Sequence, residues 1–395
     1  MSELYFYIAR QGHPNQIIYT ENVQEYLNDV GVETREIVLG ANGSARPELQ
    51  ACLNGDALGI LGYIWDLDHS CIGDRFFLDL AAEAKVPVVQ WLLDHPSTLW
   101  PAFATSTAQN SGFLFLSGYS EAYFRRFIMP NCRSGWVMGT GTSRHSRVAS
   151  GTRESFLSRE IKCLLPINLR RIGGTKEDAE RRLEALPAHL AAAVMRAVEL
   201  AQYDLEQPIE NHFFNNAPPR ALLEAPNMLH HCIQIIEEIV QTRRRFTVFA
   251  VAREFPVSIQ SDVRFLPHLG TAELSSNVGM KDTFIRMRRS RAVVSLSHIN
   301  DEVHNRTLNG LNAGAVNIIE ANVAHRSLFT HRQNALLFRY DDDSLRECLD
   351  LVCGDPDAAY EIALAGMELR DDPRLRHAGF RNFIRLTSDI HQSPA

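Results

Sequence analysis

Apolar residues fall along this chain in two alternating rhythms. Short uninterrupted runs at 3–9 (ELYFYIA), 35–39 (REIVL), 57–64 (ALGILGYI), 86–93 (VPVVQWLL) and 113–116 (FLFL) have the length and side-chain content of buried strands. Helical spacing separates them, on Ile17, Val23, Tyr26 and Leu27 and again on FFLDLAAEAK. Near-continuous apolar strands alternating with amphipathic helices predict a parallel sheet covered on both faces. Residues 1–165 are therefore expected to form a Rossmann-like first domain.

From Thr175 to Arg245 the rhythm is helical, through EDAERRLEAL, LAAAVMRAVELAQYDL and MLHHCIQIIEEIVQTRRR, punctuated by Pro166, Gly173, Gly174, Pro218, Pro219 and Pro226. This predicts a helical hinge over 166–244, whose surface is also the candidate for a homodimer contact. Strand-like runs return at 246–252 (FTVFAVA), 263–266 (VRFL), 292–297 (AVVSLS), 315–319 (AVNII) and 335–338 (ALLF). They predict a second Rossmann-like domain over 245–380, with 381–395 as a C-terminal tail. The expected fold is α/β, two Rossmann-like domains joined by a helical connection.

The length of 395 residues agrees with two domains, and 45% hydrophobic with 22% charged residues describes a globular chain. A formal net charge of -7 offers no field for nucleic acid. The basic clusters Arg243–Arg245 and Arg286, Arg288, Arg289 and Arg291 read as solvated helix faces. No run reaches the roughly 18 apolar residues that span a bilayer, and the N-terminus lacks the pattern of a secretory signal. Seven scattered cysteines without CxxC spacing fit reduced thiols, a cytoplasmic location and no zinc site.

The segment 292–320, AVVSLSHINDEVHNRTLNGLNAGAVNIIE, reads as strand, loop, helix, tight turn and strand. Asn300 or Asp301 can cap the helix, and Gly314 can end it in a left-handed conformation. Leu308, Leu311 and Ala315 face the sheet by spacing. Asn305, Asn309 and Asn312 are poor helix formers whose presence so close together asks for a reason. A helix that starts beyond a parallel strand's carboxyl end turns free N–H groups and a positive dipole end toward any anion there. Arg306 would add a fork suited to phosphate.

This stretch resembles the C-terminal signature of bacterial two-domain glycosyltransferases of GT-B type, with a family-1-like nucleotide-sugar domain. The residues that carry the resemblance are His304, Asn305 and Arg306, then Asn309 and Gly310, then Ala313-Gly314-Ala315, with Glu320 after the strand. HRSLFTHRQNALLFRYDDDSLRECLDLVCGDP and AYEIALAGMELR are similar to the family's closing elements, and VVQWLLDHP at 88–96 to a strand end in some members' first domains. The resemblance implies two domains facing a central cleft, a nucleotide-sugar donor as substrate, an unidentified acceptor, and no cofactor or obligatory metal. It further implies donor contacts at His304, Asn305, Arg306 and Asn309. Members carry an acid beside the arginine or at the position of Asn309; here both are amides, which can bind hydroxyls without bringing charge.

Sugar transfer needs a base for the acceptor's proton, or stabilisation of an oxocarbenium-like centre. Asp94, at the end of the strand 86–93, is the first candidate base and His13, in the loop after the first strand, the second. A departing diphosphate needs cations or helix dipoles. Lys281 in NVGMKDTF, with Asn277 and Gly279 shaping its loop, is a candidate, as are Arg253 beyond FTVFAVA and His268 in FLPHLG. Asp66-Leu67-Asp68 is a two-carboxylate pattern that can hold a cation, but it belongs to a single-domain architecture that the second half contradicts. The run Asp341–Asp343 reads as the cap of the following helix. Two other functions share this reading: a nucleotide-sugar isomerase or hydrolase on the same fold, and a non-catalytic nucleotide-sugar-binding protein.

Overall fold

Two parallel six-stranded sheets organise the chain. The computed structural model describes residues 5–11, 14–39, 50, 52–63, 71–72, 74–100, 111–138, 147–148, 151–167, 179–216, 225–261, 269–276, 280–297, 300–376 and 378–392. The chain divides into two compact units, Met1–Ser143 with Pro373–Ala395, and Arg144–Asp372.

The first unit holds β1 (Tyr5–Gln11), β2 (Thr34–Leu39), β3 (Ala57–Tyr63), a short hairpin of β4 (Cys71–Ile72) and β5 (Arg75–Phe76), β6 (Val88–Leu92), β7 (Ser111–Phe115) and β8 (Arg133–Trp136). The sheet order is β2-β1-β3-β6-β7-β8, with every pairing parallel. Tyr5 to Ala9 are all buried, as are all five residues of β6 and of β7. That is why these strands read as continuous apolar runs instead of alternating ones.

The segment at 381–395, which the sequence presents as a tail, is mostly helix: Ala378–Gln392 packs on β6, β7 and β8. Phe383, Leu386 and Ile390 form its buried stripe. Three strand glycines make room for it. A Cβ at Gly59 would stand 3.0 Å from Thr387 Cγ2, at Gly112 3.2 Å from Ile390 Cδ1, and at Gly135 3.4 Å from Leu386 Cδ1. Gly112→Val is therefore expected to destabilise the chain by about 1–3 kcal/mol through overpacking. Urea unfolding reads this directly, and a variant as stable as the wild type would contradict the seating.

The second unit holds β9 (Ile161–Pro166), β10 (Val257–Ser261), β11 (Glu273–Ser276), β12 (Ser290–Ser295), β13 (Val316–Glu320) and β14 (Leu336–Phe338). Their order is β11-β10-β9-β12-β13-β14, again all parallel. Counted within the unit this is 3-2-1-4-5-6, the doubly wound order of dinucleotide-binding sheets.

The boundary at 165 cuts the central strand of the second sheet, because Ile161–Pro166 pairs with β10 and β12. FTVFAVA is not a strand but the end of a 27-residue helix, Pro226–Ala252. Nothing breaks the helix at Arg245, and Val248, Val251 and Ala252 continue its buried spacing into the unit's core while Phe246 faces out. The helices Ala188–Ala201, Ile209–Phe214 and Pro226–Ala252 thus belong to the second unit and pack on one another.

The basic run on that helix is also not a solvated face, since Arg244 is 1% exposed and Arg245 9%. In the other cluster Arg288 and Arg289 are exposed, whereas Arg286 and Arg291 are half-buried. Asp341 caps helix Asp342–Gly354, its Oδ1 accepting the Ser344 amide at 2.7 Å. No described helix is long and apolar enough to cross a membrane. Cys52, Cys132, Cys163, Cys232, Cys348 and Cys353 are free thiols.

Candidate functional site

In a doubly wound sheet, the crevice that takes a ligand lies outside the carboxyl ends of the strands, where the strand order reverses. In the second unit that point is between β9 and β12. The chain leaving β12 runs through Ser297 and Asn300 to His304, and helix Asn305–Asn312 begins there.

The cap of this helix is His304, not Asn300 or Asp301. With extended dihedrals of φ -63° and ψ 145°, its Nδ1 accepts the Arg306 amide at 3.1 Å, and its carbonyl accepts the Thr307 amide at 2.9 Å. Asn300 is engaged elsewhere: its Oδ1 accepts from Arg244 and its Nδ2 donates to the carbonyls of Asp204 (3.0 Å) and Gln207 (2.7 Å). Arg306, Asn305 and Asn309 are half-buried, on the side of the helix away from the sheet.

Leu308 and Leu311 are buried against the sheet as their spacing predicts, and Thr307 Oγ1 donates to Ser295 Oγ at 3.1 Å. Gly310 seats the helix close to β13, since a Cβ there would lie 2.1 Å from Asn317 Oδ1. At the far end Gly314 takes φ +62°. Arg159 closes this end by donating to the carbonyls of Gly314 (2.8 Å), Ser290 (2.7 Å) and Ala313 (3.1 Å). Burial lowers the Arg159 guanidinium to about 10, so it remains a cation at the helix's negative end.

The turn after β13 is braced in the same way. Glu320 Oε1 accepts the Ser297 amide at 2.6 Å, and Asn322 Nδ2 donates to the Glu302 carbonyl at 3.1 Å. Asn322 Oδ1 caps helix Val323–Leu328 by accepting the His325 amide at 2.7 Å. His325 Nδ1 lies 2.7 Å from the Glu320 carbonyl, which can only accept, so that nitrogen carries the proton. Burial pushes the His325 pKa down and keeps the ring neutral, against the opposing pull of Glu320.

The structure thus brings His304, Asn305, Arg306 and Asn309 together on one short helix. It does not bring Arg253 to them. Arg253 is exposed after helix Pro226–Ala252, before β10 begins, and its carbonyl accepts the Thr271 amide at 2.8 Å. That is the amino end of the strand, opposite to the carboxyl ends. Lys281 stands in the first turn of helix Met280–Arg288, and its side chain lies outside the described structure. His13, His268, Asn277, Gly279 and Asp66–Asp68 also lie outside the described residues. In the first unit Asp94 is exposed two residues beyond the carboxyl end of β6. The adjacent His95 is buried, 2.8 Å from Ser97 Oγ through Nδ1 and with its ring 4.7 Å from that of Tyr123.

Among the described residues no group of three or more His, Cys, Asp or Glu side chains could hold a metal ion. Sequence reasoning overlooked Ser297, Asn322 and His325 and took Arg244 for a solvated arginine; Arg244 reaches Asn300 across 56 positions and Ser297 reaches Glu320 across 23.

No protein-family model and no curated protein sequence matches the chain. Solved structures do match it over nearly its full length. Anabaena HepE, solved in complex with UDP-glucose, is 10% identical with a TM-score of 0.54, over 99% of this chain and 100% of that one. A DNA-modifying beta-glucosyltransferase solved in the presence and absence of uridine diphosphoglucose is 7% identical, with a TM-score of 0.54, over 99% and 100%. Sucrose-phosphate synthase from Thermosynechococcus elongatus is 11% identical, with a TM-score of 0.51, over 99% and 98%. The likeness establishes the fold: this is a two-domain α/β chain of GT-B type.

Proposed function

We propose that the protein is a glycosyltransferase that moves a sugar from a nucleotide-sugar donor to an acceptor, with no metal or cofactor taking part. The observation that carries this reading is the position of Arg306, in the first turn of a helix that starts beyond the carboxyl end of β12 in a GT-B fold. A guanidinium and a helix N-terminus together suit the charge that develops on a departing nucleoside diphosphate. The three solved structures named above support the reading by analogy of fold alone, two of them having been solved with a uridine-diphosphate sugar. Asn305 and Asn309 would offer amides to donor hydroxyls.

Asp94 is the proposed base for the acceptor's proton. Asp94→Asn is then expected to cut turnover while leaving donor affinity nearly unchanged, because a base of this kind acts on the acceptor and not on the donor. Full activity would remove it from the mechanism.

The class itself is tested by thermal shift with the common nucleotide sugars and nucleoside diphosphates. Stabilisation by at least one of them is expected, and none by any would refute the donor reading. Incubating the stabilising nucleotide sugar without acceptor then distinguishes transfer from isomerisation or hydrolysis, which would release an epimer or free nucleotide.

A further inference from the structure

Ser297 and Asn300, between β12 and His304, are each held by a buried polar side chain. One is Arg244, on helix Pro226–Ala252. Its NH1 donates to Asn300 Oδ1 (2.9 Å), its NH2 to the carbonyls of Ala201 (2.7 Å) and Asp204 (2.9 Å), and its Nε to the Gln202 carbonyl (3.2 Å). Its guanidinium also lies 4.8 Å from the centre of the Tyr340 ring. The other is Glu320, the last residue of β13, which accepts the Ser297 amide. Both side chains are almost wholly removed from solvent.

A buried guanidinium is costly unless its donors are used, and here all three nitrogens are. Their partners come from the loop at 201–204 and from Asn300, which is where the chain turns toward His304. Asn300 is held further by its carbonyl, which accepts the Val323 amide at 3.1 Å. Ser297 and Asn300, the two tethered residues, precede the capping histidine by seven and four positions.

We infer that Arg244 and Glu320 are positioning residues for the donor site, setting the course of the loop through Ser297 and Asn300 and hence the placement of His304 and Arg306. This rests on the reading of helix Asn305–Asn312 as the donor-phosphate helix.

Arg244→Lys keeps the charge but loses the planar fork that reaches Asn300 and the 201–204 carbonyls at once. A double-mutant cycle on the full chain separates positioning from general destabilisation. The wild type, Arg244→Lys, Arg306→Ala and the double variant are titrated calorimetrically with UDP, GDP and ADP, and the tightest binder in the wild type is compared across all four. Arg244→Lys is expected to weaken binding at least fivefold in the wild-type background and less than twofold when Arg306 is already alanine. Its lowering of Tm is expected to be equal in both backgrounds.

Affinity losses that are equal in the two backgrounds, or no loss at all, would overturn the inference while leaving the donor site standing. Failure of the wild type to bind these three and every other nucleoside diphosphate of the thermal-shift test, or an unchanged affinity in Arg306→Ala, would instead overturn the donor reading and this inference with it. Should Arg244→Lys fail to fold, Glu320→Met takes its place in the cycle. A thioether of similar length leaves the Ser297 amide without its carboxylate acceptor. A loss of a few fold that vanishes with Arg306→Ala is expected, and an additive loss or none would overturn the inference.

Discussion

Arg306→Ala is expected to raise the dissociation constant for the donor's nucleoside diphosphate by about 5- to 150-fold, equivalent to about 1–3 kcal/mol for the loss of a charged hydrogen bond. The side chain is half-buried at the start of its helix, so the substitution opens no cavity in the core. The fold is kept by Leu308 and Leu311 on the opposite side, both 1% exposed. Arg306→Lys should recover part of the affinity, because a point charge replaces the fork but not its geometry. Donor affinity unchanged in a folded Arg306→Ala chain would remove Arg306 from the site.

The second large effect is expected at Gly310. It is buried in the middle of the site helix, and a Cβ would stand 2.1 Å from Asn317 Oδ1, far inside any tolerable contact. Asn317 is 1% exposed within β13, so its side chain can move only into packed surroundings. Gly310→Ala must therefore lift the helix or displace the strand's side chain. A stability loss of about 1–3 kcal/mol is expected, despite alanine's better helix propensity. Donor affinity should fall with it, because His304 and Arg306 ride on the same helix. Gly354→Ala is the control: that glycine ends helix Asp342–Gly354 and a Cβ there meets nothing within 4 Å, so a change near zero is expected. Equal unfolding free energies for the two variants would contradict the close seating of the site helix.

What could be read from the sequence was local and periodic. The strands of the first sheet through β7 announced themselves as apolar runs, because a parallel sheet covered on both faces needs no alternation. The helix at Asn305–Asn312, the turn at Gly314 and the cap at Asp341 were equally legible, each depending on residues within one or two turns. FTVFAVA was misread because a seven-residue apolar run satisfies strand and buried helix alike; only the buried spacing carried over from Ile233, Ile236 and Val240 decides for the helix. The strand Ile161–Pro166 was missed because it stands before a long helical stretch, while its partners β10 and β12 lie some ninety or more residues later.

The candidate site divides along the same line. Arg306 and the existence of a helix could be found from spacing, whereas the helix start and the choice of His304 as its cap could not. That choice follows from what holds Asn300: Arg244, Asp204 and Gln207 take its side chain, from sequence separations of 56, 96 and 93. Arg244 itself looked like one of three solvated arginines, since burial of a charge depends on partners that the sequence leaves far away.

Hydrogen exchange tests the central claim most directly. The full chain is compared with and without a saturating concentration of the nucleoside diphosphate that stabilises it most. If the donor's nucleotide end binds at the start of helix Asn305–Asn312, peptides covering 296–309 will gain protection, and Arg306→Ala will abolish that gain at the same ligand concentration. Binding that protects other peptides and leaves 296–309 unchanged would contradict the account.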